Sequence, residues 1–176
     1  MLAGNWQFAP ILQLKSGNFL TIFAGTDQAL TTVTATATNG SPTNGQTANQ
    51  ILPDVFSKSR AATCAPCVTF LNKSAFTTPA LGTYGNLAYG TVQGPGLIQL
   101  NMAVSRTFPI AEKRSIQLRG EAFNLPNHLN PSNPIAAVNS ALFGISNTDQ
   151  SGIAGQISGT TSGDYRVIQL ALKFVF

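Results

Sequence analysis

The sequence ends on RVIQLALKFVF, residues 166–176. Here Arg166, Ile168, Leu170, Leu172, Phe174 and Phe176 fall on one side of an extended backbone, and Val167, Gln169, Ala171, Lys173 and Val175 on the other. A period of two held this long predicts a strand with one apolar face and one face that meets water or polar groups. The alternation recurs upstream. WQFAPILQL (6–14) sets Trp6, Phe8, Leu12 and Leu14 against Gln7, Ala9, Ile11 and Gln13, with Pro10 removing one ladder donor. LIQLNMAVSRTF (97–108) sets Ile98, Leu100, Met102 and Val104 against Gln99, Asn101, Ala103 and Ser105. RSIQLRGEAF (114–123) sets Ile116, Leu118, Gly120 and Ala122 against Gln117, Arg119 and Glu121. KSGN (15–18) reads as a turn in which Gly17 supplies the unusual dihedral, and FLTIFA (19–24) as the strand that returns from it.

The predicted fold is all-β, an antiparallel meander of about five strands (6–14, 19–24, 97–108, 114–123 and 165–176) forming the last part of a transmembrane β-barrel. Two long extracellular loops, 25–96 and 124–164, complete it. The first is rich in Thr, Asn, Gly, Ser and Pro and includes the low-complexity run TTVTATATNGSPTNGQT. Its GTYGNLAYGTVQGPG stretch lacks the Lys-Ser/Thr of a phosphate loop and reads as irregular surface chain. Within the second, PIAAVNSALFGI (134–145) has the composition of a short helix.

Link lengths separate a barrel from a secreted sandwich. Compact soluble domains rarely hold structureless loops beyond about 12–15 residues. Outer-membrane barrels alternate short periplasmic turns with long extracellular loops. Links at 15–18, 25–96, 109–113 and 124–164 run short, long, short, long, which puts the C-terminus at the periplasmic side. Trp6, Phe8 and Tyr165 are then expected at the outer rim, and Phe108, Phe174 and Phe176 at the inner rim, as aromatic girdles. Arg106 is expected on the lipid face near the periplasmic rim. The smallest such barrels use about eight strands, so five require either further strands of the same protein or strands lent by other protomers. An odd count also places the two chain ends on opposite sides of the membrane, and the expectation is that barrel segments precede Met1.

Composition narrows the class further. Only 9% of the 176 residues are charged, against about 25% in an average soluble domain, while 43% are hydrophobic. No run approaches the roughly 18 apolar residues of a membrane-spanning helix, and no basic-then-apolar leader opens the chain. Net charge is +4, but the ten Lys and Arg are scattered and only Lys113 and Arg114 are adjacent. A nucleic-acid partner is therefore not expected.

Candidate chemistry is sparse. Cys64 and Cys67 form a C-x-x-C, which suits a redox pair, half of a zinc site or a small disulfide. Zinc needs about four ligands and the single histidine, His128, is distant in sequence, so a loop disulfide is the expectation. His128 lies in a Pro- and Asn-rich loop with no nucleophile placed beside it and reads as a turn residue. Gln99, Asn101, Gln117, Arg119, Glu121, Gln169 and Lys173 are the expected lumen-facing residues, with Arg119 and Glu121 two apart on one polar face. No metal, cofactor or catalytic activity is expected.

The alternation into a terminal Phe resembles the C-terminal β-signal read by the barrel-assembly machinery, with Ile168, Leu170, Leu172, Phe174 and Phe176 in its apolar places. The stretch from Phe70 to Ile110, then QLRGEAFNLPNHLNPSNP and RVIQLALKFVF, resembles the C-terminal end of TonB-dependent receptors. The likeness is to the Oar-like group with a carboxypeptidase-regulatory-like domain. It is carried by Gly94-Pro95-Gly96, by Phe123-Asn124 with Asn127-His128 and Asn130, and by Ile168-Gln169 through Phe176. Met102 and Ala103 depart from that group, which often carries an acidic residue nearby.

The resemblance implies a fragment of an outer-membrane receptor that imports an unassigned solute and does not function alone. Its implied partners are outer-membrane lipid, the barrel-assembly machinery, the rest of its own barrel and plug, and TonB through segments outside these residues. The alternatives are a secreted or surface adhesin-like β module and a protomer of a multi-chain outer-membrane pore.

Overall fold

A computed structural model describes residues 4–31, 37–38, 41–42, 45–61, 67–112, 114–146 and 166–176. Its strands, in chain order, are β1 (Trp6–Lys15), β2 (Phe19–Leu20), β3 (Ala37–Thr38), β4 (Ser41–Pro42), β5 (Asn49–Gln50) and β6 (Val68–Thr69). They continue with β7 (Phe76–Thr77), β8 (Val92–Gln93), β9 (Leu97–Ala111), β10 (Arg114–Phe123), β11 (Ile145–Ser146) and β12 (Val167–Val175). The four long strands make one antiparallel sheet in the order β1-β9-β10-β12.

Register puts every apolar set on the same face. Trp6 lies opposite Arg106, Arg106 opposite Leu118, and Leu118 opposite Leu172. The next rows are Phe8, Val104, Gly120 and Leu170, then Pro10, Met102, Ala122 and Ile168. Phe108, Ile116 and Phe174 form the row nearer the short turn. Because the side-chain period is two, a slip of one residue anywhere would mix the faces, so the matched rows fix the register. Leu170 is 81% exposed, and nearly all of β1 and β12 is bare on both faces.

Several expectations are corrected. KSGN is not a hairpin: β1 pairs with β9, and the expected strand 19–24 shrinks to Phe19–Leu20, which pairs with Val92–Gln93. The sheet thus has four strands, an even number, and β1 runs opposite to the direction expected for it. Lys15 sits opposite Leu97 at the long-loop end, whereas Trp6 lies in the Arg106 row toward the short turn and Phe8 in the Val104 row at mid-strand. Neither stands at the rim opposite Phe108 and Phe174, so the expected outer-rim place is corrected for both; Tyr165 lies outside the described residues. The short link is also tighter than 109–113. β9 runs to Ala111, and the register shifts between Arg114 and Ser115, a bulge that accommodates Pro109 beside the turn.

The hydrophobic core is not in the sheet. It lies in a cap built jointly from the two long loops, around Ile22, Ala48, Leu71, Ala75, Phe76, Val92, Ala136 and Phe143. Phe76 and Phe143 meet edge to face at 5.5 Å. Short ladders tie the loops together: β5 with β7, β6 with β11, β2 with β8, and single bridges from Phe23 to Thr47 and to Ala137. Residues 134–145 are not the expected helix. They form a loop closed on itself, Ile135 and Gly144 donating their amides to the carbonyls of Ile145 and Ile135. A helix there would withdraw Ala136 and Phe143 from the core they share with the first loop.

Candidate functional site

The sheet's second face is polar. Gln117 sits opposite Thr107 and Lys173, Arg119 opposite Ser105 and Ala171, and Glu121 opposite Ala103 and Gln169. Arg119 and Glu121 point the same way because they are two apart, and they pair, Nη2 and Nε approaching Oε1 at 2.5 and 2.6 Å. With the guanidinium half exposed, water screens that pair and it adds little stability. Lys15, opposite Leu97, and Lys173 are cations on this face without an acid in their cross-strand rows. The face offers amide donors and acceptors, one self-neutralised pair and these two positive charges.

Gln99 and Asn101 do a different job. Gln99 is buried and donates from Nε2 to Asn101 Oδ1 at 3.3 Å, and the same oxygen accepts the Asn124 amide at 2.9 Å. Asn124, fully buried at φ 49°, donates its side-chain amide to the His128 carbonyl at 2.8 Å and accepts the His128 amide at 3.0 Å. Left-handed backbone suits asparagine better than most residues. Asn130, also fully buried, accepts the Ile98 amide at 2.8 Å, and Asn127 accepts the Arg166 amide at 2.9 Å. This asparagine cluster ties the ends of β9, β10 and β12 at the long-loop rim.

A second joint stands beside it. The backbones of Ser16-Gly17-Asn18 and Gly94-Pro95-Gly96 cross in contact, and Gly94 donates its amide to Asn18 at 2.8 Å. A Cβ on Gly17 would overlap the Gly94 carbonyl, and one on Gly96 would lie 2.7 Å from the Lys15 carbonyl oxygen. Gly17 has no positive φ, so glycine serves close approach here and not an unusual dihedral.

On the cap, Phe56, Phe70, Arg60, Thr69 and Gln93 line an open cleft of about 240 Å³. Phe56 and Phe70 meet edge to face at 5.5 Å. Cys67, next to β6, is disulfide-bonded; Cys64, the chain's other cysteine, lies outside the described residues. Among the described residues no group of three or more His, Cys, Asp and Glu could hold a metal ion.

The terminal residues Ile168, Leu170, Leu172, Phe174 and Phe176 stand exposed on the apolar face, Phe174 stacked on Phe176 at 6.0 Å. The asparagines of the cluster fall in the FNLPNHLN stretch, but nothing in their spacing shows that Asn124 and Asn130 are buried and bonded at the rim; the cleft brings together positions from 56 to 94 that carry no shared motif.

A family model described as "Outer membrane beta barrel domain" matches residues 1–169. No curated protein and no solved structure matches the chain.

Proposed function

This chain belongs to the outer membrane beta barrel domain family, and from that premise we propose that its sheet is part of the wall of a TonB-dependent receptor of the Oar-like kind that takes up a solute. The apolar face meets lipid, and Gln117, Arg119, Glu121, Gln169 and Lys173 face the lumen. The cap stands outside the cell, and Glu112 in the short turn and Phe176 lie in the periplasm. The chain performs no catalysis in this reading. Its partners are lipid, the barrel-assembly machinery, further strands and a plug of the same receptor, and TonB through that plug.

One observation carries the reading: two of the three segments on which the receptor resemblance rests are the joints between wall and cap, and the third is the wall strand β12. Gly94-Pro95-Gly96 makes the tight crossing, and Asn124, Asn127 and Asn130 hold the rim. Residues that set this geometry are the ones a family sharing the geometry would share. The sheet also needs more strands, because an open edge in lipid leaves backbone groups unpaired at several kcal/mol each.

A second reading has a specific observation in its favour. Four strands are an even number, as a pore assembled from several copies requires, and β12 runs antiparallel to the direction of β1, so one copy's last strand could pair with the next copy's first. An antibody against the cap, applied to outer membranes of the source cell, separates the two. A band far larger than these 176 residues, unchanged in size by boiling, is the expected result for the receptor. A heat-sensitive oligomer that boils down to the size of this chain overturns it in favour of the pore, and cap protein soluble without detergent overturns both in favour of an adhesin-like module.

A further inference from the structure

One cation interrupts the apolar face away from the strand ends, where Arg114 and Arg166 stand. Arg106 lies in the row of Trp6, Leu118 and Leu172, and no Asp or Glu occupies that face in any strand. Its guanidinium carbon stands 5.2 Å from the centre of the Trp6 ring and 4.6 Å from that of Phe108. Phe108 is one row nearer the short turn, so the side chain reaches toward the membrane rim, as long cations do in lipid. The rings attract the charge and fix the plane of the guanidinium.

They do not neutralise it. The Arg106 Nε is buried without a hydrogen-bond partner, and among the described residues Arg106 enters no ion pair. A cation on a lipid face costs about 2–4 kcal/mol at the midplane and about 0–1 near the interface. At the interface the available anions are the phosphates of lipid headgroups. A planar guanidinium binds a phosphate through two parallel N–H donors, and stacking between rings holds that fork ready.

We infer that Trp6, Arg106 and Phe108 form a binding site for the phosphate of a membrane lipid on the outside of the barrel wall, at the rim near the short turn. Ring faces hold the guanidinium, its terminal nitrogens clasp the phosphate, and the acyl chains run along the Val104 and Met102 rows. The site rests on the sheet's place in the outer membrane and not on solute uptake. A chain that inserts normally yet ignores phospholipid would sink the site alone.

Trp6 is the chain's single tryptophan and so reports directly on the site. The intact protein that contains this chain, extracted from outer membranes into phosphate-free maltoside, is titrated with dihexanoylphosphatidylglycerol, and Trp6 emission is followed as the difference from a W6F variant. The expected result is a saturable shift that R106Q weakens at least tenfold, about the loss for one charged hydrogen-bonded contact. F108L, which keeps the charge and loses the second ring, is expected to weaken it several-fold; should R106Q fail to fold, F108L and R106K carry the test. Dihexanoylglycerol, which lacks the phosphate, is expected to give no saturable shift. The site is overturned by an absent response in the unaltered chain, by equal responses from the phosphate-free lipid, by variants that bind like the parent, or by inorganic phosphate saturating the shift on its own.

Discussion

The amide of Gly94 donates to the carbonyl of Asn18 at 2.8 Å, although 76 positions separate the two residues in sequence. The crossing decides how the chain leaves the membrane wall after β1 and returns to it at β9. Alanine at Gly17 has nowhere to put its methyl except into the Gly94 backbone. Overpacking of this kind typically costs about 1–3 kcal/mol, and G17A is expected at the upper end. Gly4, with nothing within 4 Å of a built Cβ, is the control: G4A should stay within about 0.5 kcal/mol of the parent. Urea unfolding of the chain in micelles compares them.

Asn124 is a second fixed point. N124A removes both side-chain bonds to His128 and places alanine at φ 49°. Unsatisfied buried groups cost about 1–3 kcal/mol each, and the left-handed backbone adds roughly 1–2. N124G relieves the backbone and still loses the bonds, so it is expected between parent and N124A. Hydrogen exchange at Ile98 and His128 reads the loss, since both amides donate into the cluster.

The cap should melt through its own core. Phe143 is 3% exposed and packs edge to face on Phe76, and Phe→Ala in such places costs about 3–5 kcal/mol. F143A is expected to expose the Ile51 and Leu71 amides, which are bonded within the cap, while β9–β10 exchange changes far less. Equal acceleration in sheet and cap would mean that the two fold as one unit.

Depth along the lipid face is testable at Met102. It lies two rows from Arg106, away from the turn, in the row of Pro10, Ala122 and Ile168, which holds no aromatic residue. M102R should lower membrane insertion by about 2–4 kcal/mol, the cost of a cation near the midplane. At the chain end, F176S is expected to reduce insertion with cap exchange unchanged.

How far the sequence could be read follows from what each part repeats. The long strands carry a period of two for nine residues or more, so both faces of β1, β9, β10 and β12 were legible, from Trp6 to Phe174. Pairing was not. KSGN has the composition of a turn, and the segment it meets lies some 75 residues on. Taking the turn at face value added a strand and inverted β1, which sent Trp6 to the end of the sheet opposite Phe108 and Phe174. The cap was illegible for another reason. Ala48 and Val92 stand among polar residues, Ile22 and Phe143 in apolar runs of only a few residues, and two-residue ladders show no period. Gln99 and Asn101 shared the polar face of β9 with true surface positions, so nothing in their spacing distinguished a buried rim contact from a lumen wall.

The most direct test of the account is sidedness in the intact cell. Single cysteines at Tyr84 in the cap and at Glu112 in the turn are exposed to a maleimide that cannot cross the outer membrane. Y84C is expected to react on whole cells, and E112C only after the outer membrane is opened. Labelling of E112C on intact cells with Y84C protected would invert the wall, and labelling of both without opening would remove it from the membrane.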